Sequence, residues 1–322
     1  LFEDNAEYGF GMKLSLNVMV NYLVEAMESL LKLDIAQEDK AVLQEWLDTH
    51  EDGERSRESA AKVEALLDRM FCCSCGECGC GDEAVLREYA KIEQFRDYLV
   101  KKSVWIFGGD GWAYDIGYGG LDHVLGSGED VNILVMDTEV YSNTGGQASK
   151  ATPRGAAAKF AAGGKGGAKK DLGLIAQAYG DVFVAQISMG ANQQQTVRAL
   201  LEAQAWPGPS LVIAYATCIA HGIDMGTSMT HQAEAVSSGY WPLYRFRPST
   251  DEHAVPLHLD SKAPTGRVAD FMAKEARFAM LKRSDPERAA ELERLAQADA
   301  DERWRYYSQV AGIERALPSE RP

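Results

Sequence analysis

The chain has 322 residues, enough for one large domain or two small ones, and 46% of them are hydrophobic, an ordinary globular share. Its 33 basic residues face 48 acidic ones, a net charge of −15, which argues against nucleic acid and anionic membrane as partners because both demand a basic face. No stretch approaches the ~18 apolar residues of a membrane span, and five of the six cysteines crowd into Cys72–Cys80, too localised to staple such a chain, so a reducing, cytoplasmic setting fits them.

Leu1–Met12 is polar and then broken by glycines, and reads as a loop. It has neither an initiator Met nor a signal-peptide pattern, so further chain is expected upstream. Leu16, Met19, Val20, Leu23, Met27 and Leu30 recur at three- and four-residue steps, which predicts an amphipathic helix over Leu14–Leu33. Two more helices are expected at Gln37–Asp48 and Arg57–Met70. The cysteine-rich segment 71–81 and a helix over Asp82–Lys102 complete a loop and helical lead-in, residues 1–102.

The next block, residues 103–249, alternates in character. Val104–Phe107 and Ile133–Met136 are short apolar runs bounded by Gly or Asp, as buried strands are. A glycine-spotted helical stretch, Ala113–Leu125, lies between them. That is a βαβ unit, whose two strand tips should lie side by side at the carboxyl edge of a parallel sheet. After a long Gly/Ala/Lys loop, Tyr141–Lys170, come helix Asp171–Tyr179, strand Val182–Ile187, helix Asn192–Ala205 and strand Leu211–Ala216. The alternation predicts an α/β fold with a doubly wound parallel sheet. Residues 250–322 read as an extended and helical C-terminal tail, with helices over Val268–Lys282 and Pro286–Tyr306.

The strand tips are chemically specific. In Gly109-Asp110-Gly111 a carboxylate stands between two residues without side chains, so backbone can approach a phosphate while the carboxylate holds a hard cation. The second tip offers the Thr138 hydroxyl and the Val140 carbonyl, and that oxygen set suits Mg²⁺. A dinucleotide fingerprint does not fit, because Tyr114 occupies the place of its third glycine.

Between Gly111 and the pair Asp137-Thr138 lie 25 residues, 112 to 136. This spacing resembles the signature of thiamine-diphosphate enzymes: Gly-Asp-Gly, about 25 residues, then two polar residues, usually Asn-Asn, where this chain has Asp-Thr. The longer motifs Gly-Gly-Asp-Gly-Trp-Ala-Tyr-Asp-Ile-Gly and Asp-Thr-Glu-Val-Tyr-Ser-Asn-Thr-Gly-Gly-Gln-Ala-Ser-Lys resemble the C-terminal thiamine-diphosphate-binding region of pyruvate:ferredoxin (flavodoxin) oxidoreductases. The likeness continues through Ala158–Lys165, Lys170–Ile175, Met189–Asn192, Ala220–Ile223 and Leu259–Pro264.

The resemblance implies a thiamine-diphosphate-binding fold. It also implies oxidative decarboxylation of pyruvate to acetyl-coenzyme A and CO₂, with electrons passed through Fe–S clusters to ferredoxin or flavodoxin. By position, Gly109, Asp110, Gly111 and Trp112 would hold the diphosphate end of the cofactor. The cofactor-binding stretch would run on through Thr138, Glu139, Val140, Tyr141, Ser142 and Asn143. Asp110, Thr138 and the Val140 carbonyl would ligate Mg²⁺. Asn143 would be catalytic, and an amide there can donate a hydrogen bond where negative charge develops; left to the residues alone, it could equally cap its own turn. Cys218 would give one thiolate of a [4Fe–4S] cluster whose other three lie upstream; read alone, a lone cysteine is a small buried hydrophobe. Upstream domains of the same polypeptide and a homodimer are further implications, and the segment by itself should be inactive.

Two rivals stand beside this reading. A relative acting on another 2-oxoacid shares Gly-Asp-Gly and Thr-Gly-Gly-Gln, although Ser149-Lys-Ala-Thr-Pro-Arg-Gly155 favours the pyruvate branch. A non-catalytic metal-binding module is suggested by Cys72-x₂-Cys75-x₂-Cys78, which begins like a bacterial ferredoxin run but places Cys80 too early. For those cysteines a Zn²⁺ or Fe–S site, a redox thiol patch, an inert insertion and a cluster shared with Cys218 all remain open. Gly163–Lys170 lacks the Gly-Lys-Ser/Thr of a phosphate loop and reads as a flexible basic loop facing solvent, coenzyme A or an acidic ferredoxin.

Overall fold

The computed structural model describes residues 3–71 and 82–317. The cysteine cluster Cys72–Cys80 therefore lies outside the described residues. Two compact units divide the chain, Gly11–Val104 on one side and Leu1–Phe10 with Trp105 onward on the other.

The first unit is helical: most of α1 (Asn5–Leu31), then α2 (Gln37–Thr49), α3 (Arg55–Phe71) and α4 (Glu83–Gln94). Their apolar stripes meet in one core, with Leu23 and Met27 from α1, Trp46 from α2, Leu67 from α3 and Ile92 from α4 fully buried. Trp46 Nε1 donates to the Leu99 carbonyl at 2.8 Å, so the largest core side chain also satisfies its polar atom. The loop expected over Leu1–Met12 is instead helical from Asn5. Gly9 is not a break: a Cβ there would collide with the Ile106 side chain, so the glycine lets the helix start lie against a strand.

The second unit is built on a sheet. Among the described residues six strands run in the order β1-β2-β4-β3-β5-β6: β1 (Trp105–Gly109), β2 (Asn132–Asp137), β3 (Phe183–Ile187), β4 (Ser210–Tyr215), β5 (Tyr244–Phe246) and β6 (Leu257–Leu259). The first four are parallel and form the expected doubly wound core, with β1 directly beside β2 and Gly109 opposite Met136. The order 2-4-3 means that the chain passes over β4 to reach β3 and then steps back. Right-handed crossovers therefore put α7 (Gln193–Ala205) on the opposite face from α5 (Tyr118–Leu125) and α6 (Leu172–Gln177). Side chains agree: Phe183, Ala185 and Val212 pack with Ala199 and Ala203 of α7, while Gly173 of α6 lies against Ile213 on the other face.

The sheet departs from the parallel expectation at one edge. β5 and β6 are antiparallel and come from residues that carry no strand pattern. Beyond α8 (Ser228–Ser237), the C-terminal residues form α9 (Val268–Met272), α10 (Ala276–Ser284) and α11 (Pro286–Val310). Tyr307 of α11 stacks on Tyr244 at 4.8 Å and donates to Asp171 at 2.7 Å. The single helix expected over Val268–Lys282 is two. It breaks where Glu275 takes an extended backbone and sends its carboxylate inside. Among the described residues no helix is long and apolar enough to cross a membrane.

Candidate functional site

β1 runs into Asp110, and a π-helical turn, Trp112–Ile116, follows before α5. Such turns concentrate at functional positions because they re-aim side chains. The glycines of this tip serve close packing. A Cβ on Gly108 would collide with the Trp112 ring, and one on Gly111 with the Tyr141 ring. Tyr141 is held over Gly111 by its hydroxyl, 3.2 Å from Asp115 Oδ2 and 3.3 Å from the Gly111 carbonyl. The Trp112 indole is turned into the protein, with Nε1 unpartnered. We expect Gly108→Ala to destabilise the fold by about 1–3 kcal/mol, as overpacking against a rigid ring does. Thermal unfolding of that variant checks this, and an unshifted midpoint would show that the Trp112 ring is free to move.

Asp110 is 1% exposed. Its Oδ1 accepts from Thr138 Oγ1 at 2.9 Å and its Oδ2 from Ser149 Oγ at 2.7 Å. Burial pushes its carboxyl up to about 7, and the nearby charge of Asp137 adds to the shift. Thr138 Oγ1 is also 3.1 Å from the Val140 carbonyl and 2.9 Å from Ser142 Oγ. One hydroxyl proton thus faces three oxygen acceptors. A carboxylate, a hydroxyl and a carbonyl with more lone pairs than protons is a donor set for a hard cation, and these residues fit Mg²⁺.

Between the two expected ligands sits Glu139, at φ +60° and with no exposed surface. Its carboxylate does not face the cation position. Oε2 accepts from Tyr240 at 2.6 Å and from Arg277 Nη2 at 2.7 Å, and Oε1 lies 3.4 Å from Lys169 Nζ. Lys169 and then Arg277 hold this carboxyl down to about 2 against the opposing effect of burial. Asp137, also fully buried, takes Lys169 at 2.8 Å and the Tyr114 hydroxyl at 2.7 Å. The second tip therefore stands on a buried charge network. Sequence reasoning missed most of it: Lys169, Tyr240, Glu275 and Arg277 carry no local motif.

Asn143 is exposed at the end of a loop closed by Tyr141 N to the Gln147 carbonyl at 3.0 Å, with Gly145 and Gly146 at positive φ. Its amide makes no hydrogen bond among the described residues, so nothing there shows it capping its own turn. Cys218, 8% exposed, follows β4; its Sγ is 3.3 Å from Ser142 Oγ. The structure thus gathers Asp110, Thr138, Val140, Ser142 and Cys218 on one edge of the sheet, with Asn143 next in chain. His221 is buried beneath them. Its Nε2 donates to the Thr138 carbonyl at 2.7 Å, which leaves Nδ1 to accept from Cys218 N. Burial first, and then Arg277, lower its pKa to about 4, so it stands neutral as a support for the Thr138 backbone.

The family model described as thiamine pyrophosphate enzyme, C-terminal TPP binding domain, matches residues 90–214. Pyruvate:ferredoxin oxidoreductase of Moorella thermoacetica is 50% identical over 312 residues, 97% of this chain and 26% of that protein. A putative pyruvate-flavodoxin oxidoreductase of Synechocystis is 50% identical over 99% of this chain and 25% of its own length. The pyruvate-flavodoxin oxidoreductase of Klebsiella pneumoniae is 47% identical over 98% and 26%. A solved structure is also similar in part: the 2-oxoglutarate:ferredoxin oxidoreductase of Magnetococcus marinus covers 36% of this chain and 40% of its own at 24% identity. Its TM-score is 0.34, too limited a superposition to bear on the site. The chain spans about a quarter of the length of the relatives it matches. Matched at about half identity almost from end to end, and carrying a thiamine pyrophosphate domain on its sheet, the chain belongs to the family of pyruvate:ferredoxin (flavodoxin) oxidoreductases.

Proposed function

We propose that this chain supplies the thiamine-diphosphate and Mg²⁺ half-site of an enzyme that oxidatively decarboxylates pyruvate, delivers the acetyl group to coenzyme A and passes electrons to ferredoxin or flavodoxin. The observation that carries this reading is the convergence of Asp110 Oδ1 and the Val140 carbonyl on Thr138 Oγ1, each within hydrogen-bond reach of it, beside the bare backbone of Gly109. Thiamine diphosphate, when bound, supplies the electron sink for decarboxylation of a 2-oxoacid.

This chain's own residues act around that chemistry. Asp110, Thr138 and Val140 would hold the cation, which would neutralise the diphosphate. Gly109, with open space where a Cβ would stand, keeps side chains out of its way, and Tyr141 closes the tip by covering Gly111. Asn143 points an unpaired amide outward, where it can donate to a substrate carbonyl oxygen as negative charge grows there. The Cys218 thiol fits a role as one ligand of a [4Fe–4S] cluster. On this reading the other three ligands come from upstream domains of the polypeptide, in a homodimeric, cytoplasmic enzyme.

Turnover of the full-length enzyme with pyruvate and with 2-oxoglutarate, each with coenzyme A and a reducible ferredoxin or flavodoxin, tests the proposal. Thiamine- and Mg²⁺-dependent reduction of the carrier with pyruvate is expected. Preference for 2-oxoglutarate would move the chain to the neighbouring substrate class, and absence of any 2-oxoacid turnover would overturn the proposal.

A further inference from the structure

We infer that Arg277, on α10 far along the chain, is a positioning residue for the cation site and acts on it through Glu139. The inference rests on the reading of Asp110, Thr138 and Val140 as the Mg²⁺ ligands.

Glu139 stands directly between two of those ligands, and its φ of +60° is a conformation that non-glycine residues rarely adopt. The turn it makes decides where the Val140 carbonyl goes. At φ +60° that carbonyl comes within 3.1 Å of Thr138 Oγ1. Were Glu139 to relax to negative φ, everything from Val140 onward would swing, and the carbonyl would leave the cation position.

Strain of this kind persists only where the surroundings over-determine it. Four groups hold Glu139. Asp137 Oδ1 accepts from its N–H at 3.1 Å, and Thr152 Oγ1 donates to its carbonyl at 2.6 Å. Tyr240 and Arg277 hold its carboxylate. Lys169 also bears on Glu139, but it is shared: it lies 2.8 Å from Asp137 and 3.4 Å from Glu139. Arg277, at 2.7 Å, is the nearer counter-charge of Glu139 and the one hydrogen-bonded to Oε2. Without it the carboxylate would lose the group that holds Oε2 in place and would swing away, and that movement releases the turn.

Arg277 is itself well placed to be rigid. It is 3% exposed, its Nε pairs with Glu275, and Glu275 in turn accepts from His231 Nε2 at 2.7 Å. Its backbone carbonyl accepts from Ala157 N at 2.9 Å, which ties the same residue to the loop that follows the site. The break between α9 and α10 is what brings Glu275 and Arg277 inside together.

The test uses the full-length enzyme, with thiamine-diphosphate binding measured calorimetrically at stepped Mg²⁺ concentrations. Arg277→Met should raise the half-saturating Mg²⁺ by about 10–100-fold, the usual effect of losing a group that supports a metal ligand, and Arg277→Lys should recover part of it. The decisive variant is Arg277→Met combined with Glu139→Gly. Glycine adopts φ +60° without strain and leaves no buried carboxylate to compensate, so Mg²⁺ affinity should return to within about threefold of wild type. A merely structural role for Arg277 would not be rescued by glycine at 139. Where Arg277→Met does not fold, Arg277→Lys with and without Glu139→Gly carries the same comparison. Unchanged Mg²⁺ dependence in the single variants, or a double variant no better than its parent, would overturn the inference. Failure of the cation-site reading itself would show separately, as Mg²⁺-dependent binding that survives Asp110→Ala.

Discussion

Asp110→Ala in the full-length enzyme is expected to abolish Mg²⁺-dependent binding of thiamine diphosphate. Asp110 is the one carboxylate of the three converging ligands, the other two being a neutral hydroxyl and a neutral carbonyl. Removing it takes away the one formal negative charge among these three proposed ligands. Losing a supporting residue behind a metal ligand costs about 10–100-fold in affinity, so losing the anionic ligand itself should exceed ~100-fold.

Calorimetric titration with thiamine diphosphate at fixed Mg²⁺ reads this directly, and near-normal affinity would sink the assignment of the site. The isosteric Asp110→Asn separates charge from shape. It should bind nearly as poorly, yet melt no lower than wild type when free of metal near pH 8. The direction follows from the folded state: burial and the neighbouring Asp137 hold the Asp110 carboxyl at about 7, above its ordinary value. Its ionisation in the metal-free protein therefore costs stability once the pH rises through the range between the two values, and an amide carries no such cost.

How much of this was legible in the sequence depends on the kind of signal each residue sends. β1, α5 and β2 were legible because hydrophobic runs bounded by Gly and Asp announce buried strands, and because one crossover sets the distance between two strand tips. Asp110, Thr138 and Val140 inherit their proximity from that geometry. Gly9 was misread because a glycine that permits close packing is written like a glycine that permits a turn; only the position of Ile106 distinguishes them. β5 and β6 have three residues each, too short for alternation to register. The buried network was least legible of all. Lys274-Glu-Ala-Arg277 has the composition of a solvated helix face, yet Glu275 and Arg277 are 0% and 3% exposed. Their burial depends on partners 44 to 138 residues away, His231 and Glu139. Charge pairing over such separations leaves no periodicity to read.

The same distinction bears on Asn143, whose role rests on what its amide lacks. Around it, the polar groups of the site are committed: Asp110, Thr138, Glu139 and Ser149 are all engaged with other residues. Asn143 is exposed and makes no hydrogen bond among the described residues, on a loop pinned at both ends by the Tyr141–Gln147 pairing. A rigid base carrying one uncommitted donor is the arrangement expected where a hydrogen bond matters only as charge develops. Asn143→Ala is therefore expected to lower kcat for pyruvate by about 10²–10³-fold, the usual cost of losing one such donor. Thiamine-diphosphate affinity should stay within about threefold of wild type, because the cation ligands are untouched. Steady-state kinetics paired with calorimetric cofactor binding measures both quantities on one preparation. Loss of both together would mean that Asn143 shapes the cofactor loop. Loss of kcat alone assigns it to the reacting centre, while a kcat left near wild type would remove Asn143 from the chemistry.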